Sequence, residues 1–422
     1  MEKLYYPQVD EQIYRGGLKN GLSVLIVPRP GFQKKLCYLA VDYGSIHRKC
    51  EIDGESFEAP MGVAHYLEHK LFDMPERDIS AEFAELGGFP NAFTGYDMTA
   101  YHFSCTENFE KCLRLLLEFV STPYFTDETV EKERGIIIQE ILMNKDNPDT
   151  VIFEQQAETM YANHPVREPI LGTEESVKAI TPAILTRCHE AFYHPGNMLL
   201  TVVGDVDPEE VTRIAEEVLP FHKPPRVQVH RHWQEKMEVA TPVVRCAMEV
   251  AMPTFQLSFK AADPGFGEPS VRTELVGELA TELLFGESSP LYMKLYDEGL
   301  IDSSFGGGFD TMEGLSMVTC GGDSEAPEKV RQAILDYAAV LTRTGIAEED
   351  FLRMKRSAVG RRIRSMDSFD AMCFRLCAYH FSGFDFLKLP SLYADIGSRE
   401  IIDFIKTTVT ENRCSLSIID PL

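Results

Sequence analysis

Apolar and polar positions alternate in two different rhythms along this chain. Leu18-Lys19-Asn20-Gly21 reads as a tight Asn-Gly turn feeding an apolar run to Val27, which predicts a strand. Leu36 to Tyr43 predicts a second strand, and Asn197 to Val206 a third that ends at a Gly-Asp turn. Between them the apolar spacing becomes helical, most clearly over Phe109 to Val120 and Ile184 to Tyr193. Glu131 to Glu140 is a further helix, with an apolar stretch between acidic positions. Leu219-Pro220-Phe221-His222-Lys223-Pro224-Pro225 breaks the pattern, because prolines end the preceding helix and stiffen a linker.

After the break the pattern repeats. The helical stretch Glu110 to Leu117 has a counterpart in Glu328 to Leu335, and Val130 to Ile141 has one in Phe351 to Ile363. The apolar run Leu199 to Val203 is echoed by Ser415 to Ile419. Strands and helices in this order predict an α+β fold of two tandem homologous domains. The expected boundaries are 1–220 for the first domain, 221–240 for a linker and 241–422 for the second.

Composition narrows the class. A chain of 422 residues has room for two cores, and 44% hydrophobic with 25% charged residues is ordinary for globular proteins. The formal net charge of −25 disfavours nucleic acid and anionic membrane partners, although solubility explains most of such an excess. Ten cysteines are scattered without a CxxC pair. No apolar run approaches membrane-spanning length, and the amino terminus has neither a basic start nor an apolar stretch. Cytoplasmic residence with reduced thiols is the expectation.

The chemistry concentrates in His65-Tyr66-Leu67-Glu68-His69. On a helix, His65 and His69 share a face, and Glu68 falls on the same arc. Two imidazoles at this spacing can hold Zn²⁺ at roughly 2.0–2.1 Å, with a carboxylate beside them to accept a proton from activated water. This is the inverted zinc motif H-x-x-E-H. A third ligand is needed. Glu133 and Glu140 lie seven apart and project from one face of their helix, which makes Glu140 a candidate ligand and Glu133 an outer partner. Read alone, that segment is equally an ordinary charged helix face. The second half has no equivalent. His380 is its only histidine after His232, the helix answering the zinc helix (Leu275 to Phe285) has none, and Arg353, Lys355, Arg356, Arg361 and Arg362 stand where the first half has its acids. One metal site per chain follows.

Together these segments resemble the pitrilysin family of zinc metallopeptidases. The family places a glutamate ligand some seventy residues beyond its second histidine, closing an E-R-x-x-x-x-x-E helix, and here Glu140 follows His69 by 71 positions. Gly44-Ser45, Gly62 to Phe72, Gly87 to Tyr101, Leu171 to Ser176 and Tyr193 to Met198 are similar to further family landmarks. The resemblance implies mixed sheets packed with helices, in two domains facing each other across a cleft. It also implies zinc on His65, His69 and Glu140, with Glu68 and Glu133 in the catalytic apparatus and Asn91, Ala92 and Phe93 binding an extended peptide. The alternative for Phe93 is a place in the core of a plain turn and strand.

One departure bears on partners. The family's second domain carries an Arg and a Tyr seven residues apart, where this chain has Tyr296 and Ser303. A missing donor of this kind costs about 10²–10³ in rate. Bacterial relatives that work as paired half-length chains imply a heterodimer with a homologous zinc-less chain. The alternative is that Tyr292 or Lys294 substitutes, in a monomer or homodimer. A scaffold subunit and a small-molecule zinc hydrolase are the rival functions. The retained ligands disfavour the first, and an edge strand suited to extended peptides disfavours the second.

Overall fold

The computed structural model describes residues 1–219 and 223–422. Pro220, Phe221 and His222, at the expected domain boundary, lie outside the described residues. The chain forms two compact units. The first comprises Met1–Ile141, Pro169–His230 and Ile363–Lys388, and the second Leu142–Glu168, Arg231–Arg362 and Leu389–Leu422.

The main sheet of the first unit has seven strands: β1 (Glu2–Tyr6), β2 (Glu11–Gly17), β3 (Ser23–Pro28), β4 (Lys35–Val41), β5 (Gly88–Thr94), β6 (Thr99–Cys105) and β7 (Met198–Gly204). They lie in the order β1-β2-β3-β7-β4-β6-β5. β7 runs parallel to β3 and antiparallel to β4, so the sheet is mixed. Every residue of β7 is buried, as an unbroken apolar run requires when both faces of a strand are covered. β5 is the outer strand, and among the described residues it pairs only with β6. Helices α1 (Val63–Leu71), α2 (Phe109–Ser121) and α3 (from Asp127, extending to Lys145) share one core with the residues of β4 and β6 that face them, Cys37, Leu39, Val41, Tyr101 and Phe103.

The second unit holds α4 (Pro148–Met160), β8 (Val243–Met248), β9 (Thr254–Ala261), α5 (Glu268–Phe285), β10 (Gly306–Met312), β11 (Leu315–Asp323), α6 (Glu348–Arg362 of a helix reaching Ser365) and β12 (Cys414–Pro421). Its sheet order is β8-β12-β9-β11-β10, with β8 parallel to β12 and the other pairs antiparallel. This matches β3-β7-β4-β6-β5 strand for strand. The duplication expected from the sequence is therefore present in the topology, and the fold is α+β.

The units are not the two contiguous halves expected. Although it precedes residue 220, α4 packs on the second sheet, where Gln156 Nε2 donates to Ser415 O at 3.1 Å. α7 (Phe369–Phe381) comes from the second half of the chain and packs on β4 and β7 of the first sheet, with Thr201 Oγ1 3.5 Å from Cys377 Sγ. Each unit thus carries a helix from the other half. The expected linker is also partly structured, since Val227–Val229 pairs antiparallel with Lys49–Ile52. A helical pattern reveals which face is apolar but not which sheet it will cover.

Candidate metal centre

α1 is built to present one polar edge from an apolar seat. Val63, Ala64, Tyr66, Leu67 and Leu71 are buried and fix its rotation. Its N-terminus enters through Gly62, whose φ of 88° lies in the left-handed region. A Cβ there would come within 2.4 Å of Leu171 O, so only glycine lets the two backbones meet. The Tyr66 hydroxyl donates to Val130 O and joins α1 to the start of α3. These contacts set the two ligand-bearing helices side by side.

His65, His69 and Glu140 each direct one ligand atom to a common point, all within 4.8 Å of one another. Glu140 Oε2 is 3.6 Å from Nε2 of both His65 and His69. That is too long for a hydrogen bond. It is close to the ~3.4 Å edge of a tetrahedron drawn with roughly 2.0–2.1 Å ligand bonds, so the donor set fits zinc. Among the described residues no other group of this kind occurs. The second unit explains why. Glu274, Glu278 and Glu282 lie along α5, and α6 answers with Arg361 and Arg362. Arg362 reaches Glu274 at 2.7 Å and also pairs with Glu278, while Arg361 reaches Glu282 at 2.8 Å. Ion pairs join the two helices where the first unit has ligands.

The two histidines differ. His69 Nδ1 lies 2.9 Å from Glu133 Oε1, which makes it the donor and leaves Nε2 free to face the metal. Burial works to lower the pKa of His69, but the Glu133 hydrogen bond and the charges of Glu133, Glu68 and Glu140 raise it overall. His65 is more deeply buried, and that burial, with His69 beside it, lowers its pKa to about 3, so it is neutral. Its Nδ1 has no hydrogen-bond partner among the described residues.

Glu68 lies on the same polar edge, half-buried. Burial raises its pKa, the Thr94 hydrogen bond and His69 pull it down, and Glu140 pushes it up. Thr94 Oγ1 donates to Glu68 Oε2 at 2.6 Å. Behind it Tyr101 and Tyr193 are buried with hydroxyls 3.0 Å apart, and burial above all keeps both phenols protonated.

The expected substrate strand is β5. The Gly95 N–H bond to Met98 O makes 95/98 a hydrogen-bonded pair. By alternation 93/100 and 91/102 are bonded too, and Ala92 and Thr94 turn their N–H and C=O groups to the outer edge. Asn91 is exposed and its Oδ1 accepts from Ala92 N at 2.9 Å. Side chains alternate as well. Ala92 and Thr94 face α1, whereas Phe93 faces α7, packed 5.8 Å from Phe374 and 6.3 Å from Tyr38. The sequence puts Thr94 on the expected substrate strand, but its side-chain contact with Glu68 was not foreseen. The period of the strand was the available signal, because it puts Thr94 on the helix-facing side.

Comparison with known proteins agrees with this geometry. Residues 33–174 match the family described as insulinase, peptidase family M16, and residues 179–358 match the peptidase M16 inactive domain. The uncharacterized zinc protease YmfH of Bacillus subtilis (strain 168) is 34% identical over 433 residues, covering 100% of this chain and 99% of that protein. The chain belongs to peptidase family M16, the pitrilysin family. A crystal structure assigned as an M16-like peptidase from Alicyclobacillus acidocaldarius is 32% identical with a TM-score of 0.93, over 98% of this chain and 99% of that one. Pitrilysin itself shares the fold, with a TM-score of 0.77 at 18% identity over 99% of this chain and 46% of pitrilysin. The names of the M16 relatives imply zinc, and the inactive-domain match covers the half that lacks metal ligands.

Proposed function

We propose that this M16 chain is a zinc-dependent endopeptidase acting on peptides or unfolded segments. The observation that carries this reading is the meeting of two imidazoles and a carboxylate at tetrahedral spacing beside the partly buried Glu68. When bound, zinc supplies a Lewis acid that polarises the scissile carbonyl and makes water more acidic. His65, His69 and Glu140 hold it, and Glu133 keeps His69 in the tautomer that offers Nε2. Glu68 accepts the proton of the attacking water and passes it to the leaving amine nitrogen. The outer edge of β5, where Ala92 and Thr94 present their N–H and C=O groups, pairs with the extended substrate through main-chain hydrogen bonds, and the side chains of Asn91 and Phe93 flank it.

The partner reading rests on the second unit. Tyr296 is half-exposed on the helix Pro290–Asp297, and Ser303 follows it where a phenol is expected. Neither offers the cation and phenol that would assist the reaction, so a homologous zinc-less chain is the proposed source of that pair. Ten free thiols suit a reducing compartment such as the cytoplasm. No described helix is long and apolar enough to cross a membrane.

The test is zinc analysis of the purified chain, followed by cleavage of unfolded peptides with and without the co-purifying homologue. One zinc per chain, and at least about a hundredfold loss in Glu68→Gln, are expected. Equal cleavage by wild type and Glu68→Gln overturns the peptidase reading. Equal activity of the chain alone and of the mixture overturns the partner.

A further inference from the structure

We propose that Thr94 is a positioning residue that couples the substrate edge to the general base, an inference that rests on the peptidase reading above. Its side chain and its backbone point at two different parts of the reaction. Thr94 Oγ1 holds Glu68 Oε2 at 2.6 Å on the α1 side of the sheet. Its N–H and C=O face the outer edge of β5, where an extended peptide would pair. One residue therefore touches the substrate strand and the carboxylate that must receive a proton from the water.

The anchorage of Thr94 makes this coupling stiff. It is the last residue of β5, immediately before the turn to β6. Ser45 N donates to Gly95 O at 3.1 Å and Ile46 N to Tyr96 O at 3.0 Å, so the turn is tied to the chain that leaves β4. A Cβ at Gly44 would lie 2.4 Å from Tyr96 O, so that segment is pressed against the turn. On the other side α1 is fixed by its buried face. The hydroxyl thus spans two rigid elements, and Glu68 cannot rotate without breaking a short bond to a carboxylate. A peptide paired along β5 takes its register from Ala92 and Thr94. The same Thr94 then sets the distance between the scissile bond and Glu68, which is a matter of orientation rather than binding.

The hydroxyl is the critical group. Thr94→Val keeps the shape and β-branching but removes the donor, and the backbone groups that meet the substrate remain. Thr94→Ser keeps the donor. In the zinc-loaded protein with its partner present, Thr94→Val is expected to lower kcat by about ten- to a hundredfold, the size of a lost hydrogen bond to a charged group. KM should stay within about twofold, and Thr94→Ser should recover most of the rate. Zinc stoichiometry and melting temperature should match wild type in both, and Thr94→Ala serves if the valine variant folds poorly. A crystal structure of the valine variant should show Glu68 turned from its wild-type rotamer. Unchanged kcat, or a loss carried entirely by KM, overturns the proposal. So does an unmoved Glu68 carboxylate, which decides the matter even if the wild type proves inactive and the peptidase reading itself falls.

Discussion

Replacing Glu133 tests whether the outer partner of His69 contributes to metal affinity, and its size follows from the structure. The carboxylate lies 2.9 Å from His69 Nδ1 and its side chain is only 15% exposed, so solvent screens it little. With Nε2 turned to the metal, Nδ1–H must donate, and an anionic acceptor strengthens as the ring is polarised. Glu133→Gln keeps an acceptor oxygen in place and loses the charge. Glu133→Ala loses both and leaves a half-buried N–H without a partner. Removal of such outer partners weakens metal binding by about 10–100-fold. The glutamine variant is therefore expected near tenfold and the alanine variant toward a hundredfold, about 1.4 and 2.7 kcal/mol. The upper figure agrees with roughly 1.5–3 kcal/mol for a hydrogen bond to a charged group. Competition against a chromophoric zinc chelator at neutral pH measures this, with circular dichroism as the control for folding. An alanine variant that is folded and binds zinc within about threefold of wild type would refute the argument, and would leave Glu133 as a surface acid that happens to lie near His69.

Two further outcomes follow from the electrostatics. Arg362, only 8% exposed, neutralises Glu274 and Glu278, and Tyr393 adds a hydrogen bond to Glu278 at 2.6 Å. Arg362→Ala removes the buried cation that faces two acids on α5 and should cost about 3 kcal/mol in chemical denaturation, whereas a loss below about 1 kcal/mol would show that the pairs are solvent-screened. His189 is buried, with Nε2 2.9 Å from Val120 O, and burial lowers its pKa to about 4. The unfolded chain binds that proton near pH 6.5 and the folded one does not, so this contribution is full above about pH 6.5 and is lost as pH falls toward 4. Metal-free wild type should therefore lose about 3 kcal/mol more over that window than His189→Gln, and parallel stability profiles would contradict the assignment.

The candidate metal centre was largely legible before any fold was known. Helical spacing alone places His65, Glu68 and His69 on one arc and Glu133 with Glu140 on another, because 3.6 residues per turn leaves few alternatives. The duplicated topology was legible for a related reason, since the apolar runs now seen as β7 and β12 recur with their flanking helices. Phe93 was only half legible. Strand alternation separates it from Ala92 and Thr94, but its ring partners come from β4 and α7, far away in the sequence.

Local periodicity thus settled which residues share a face, which is a property of a single helix or strand. The tertiary structure decided which faces meet. It brought Glu140 to 3.6 Å from both imidazoles, set Thr94 against Glu68, gave β5 a free edge and sent α4 and α7 to sheets formed by the opposite halves of the chain. Those outcomes depend on long-range packing, whose driving force is burial of apolar surface and carries no address within the pattern of any one segment.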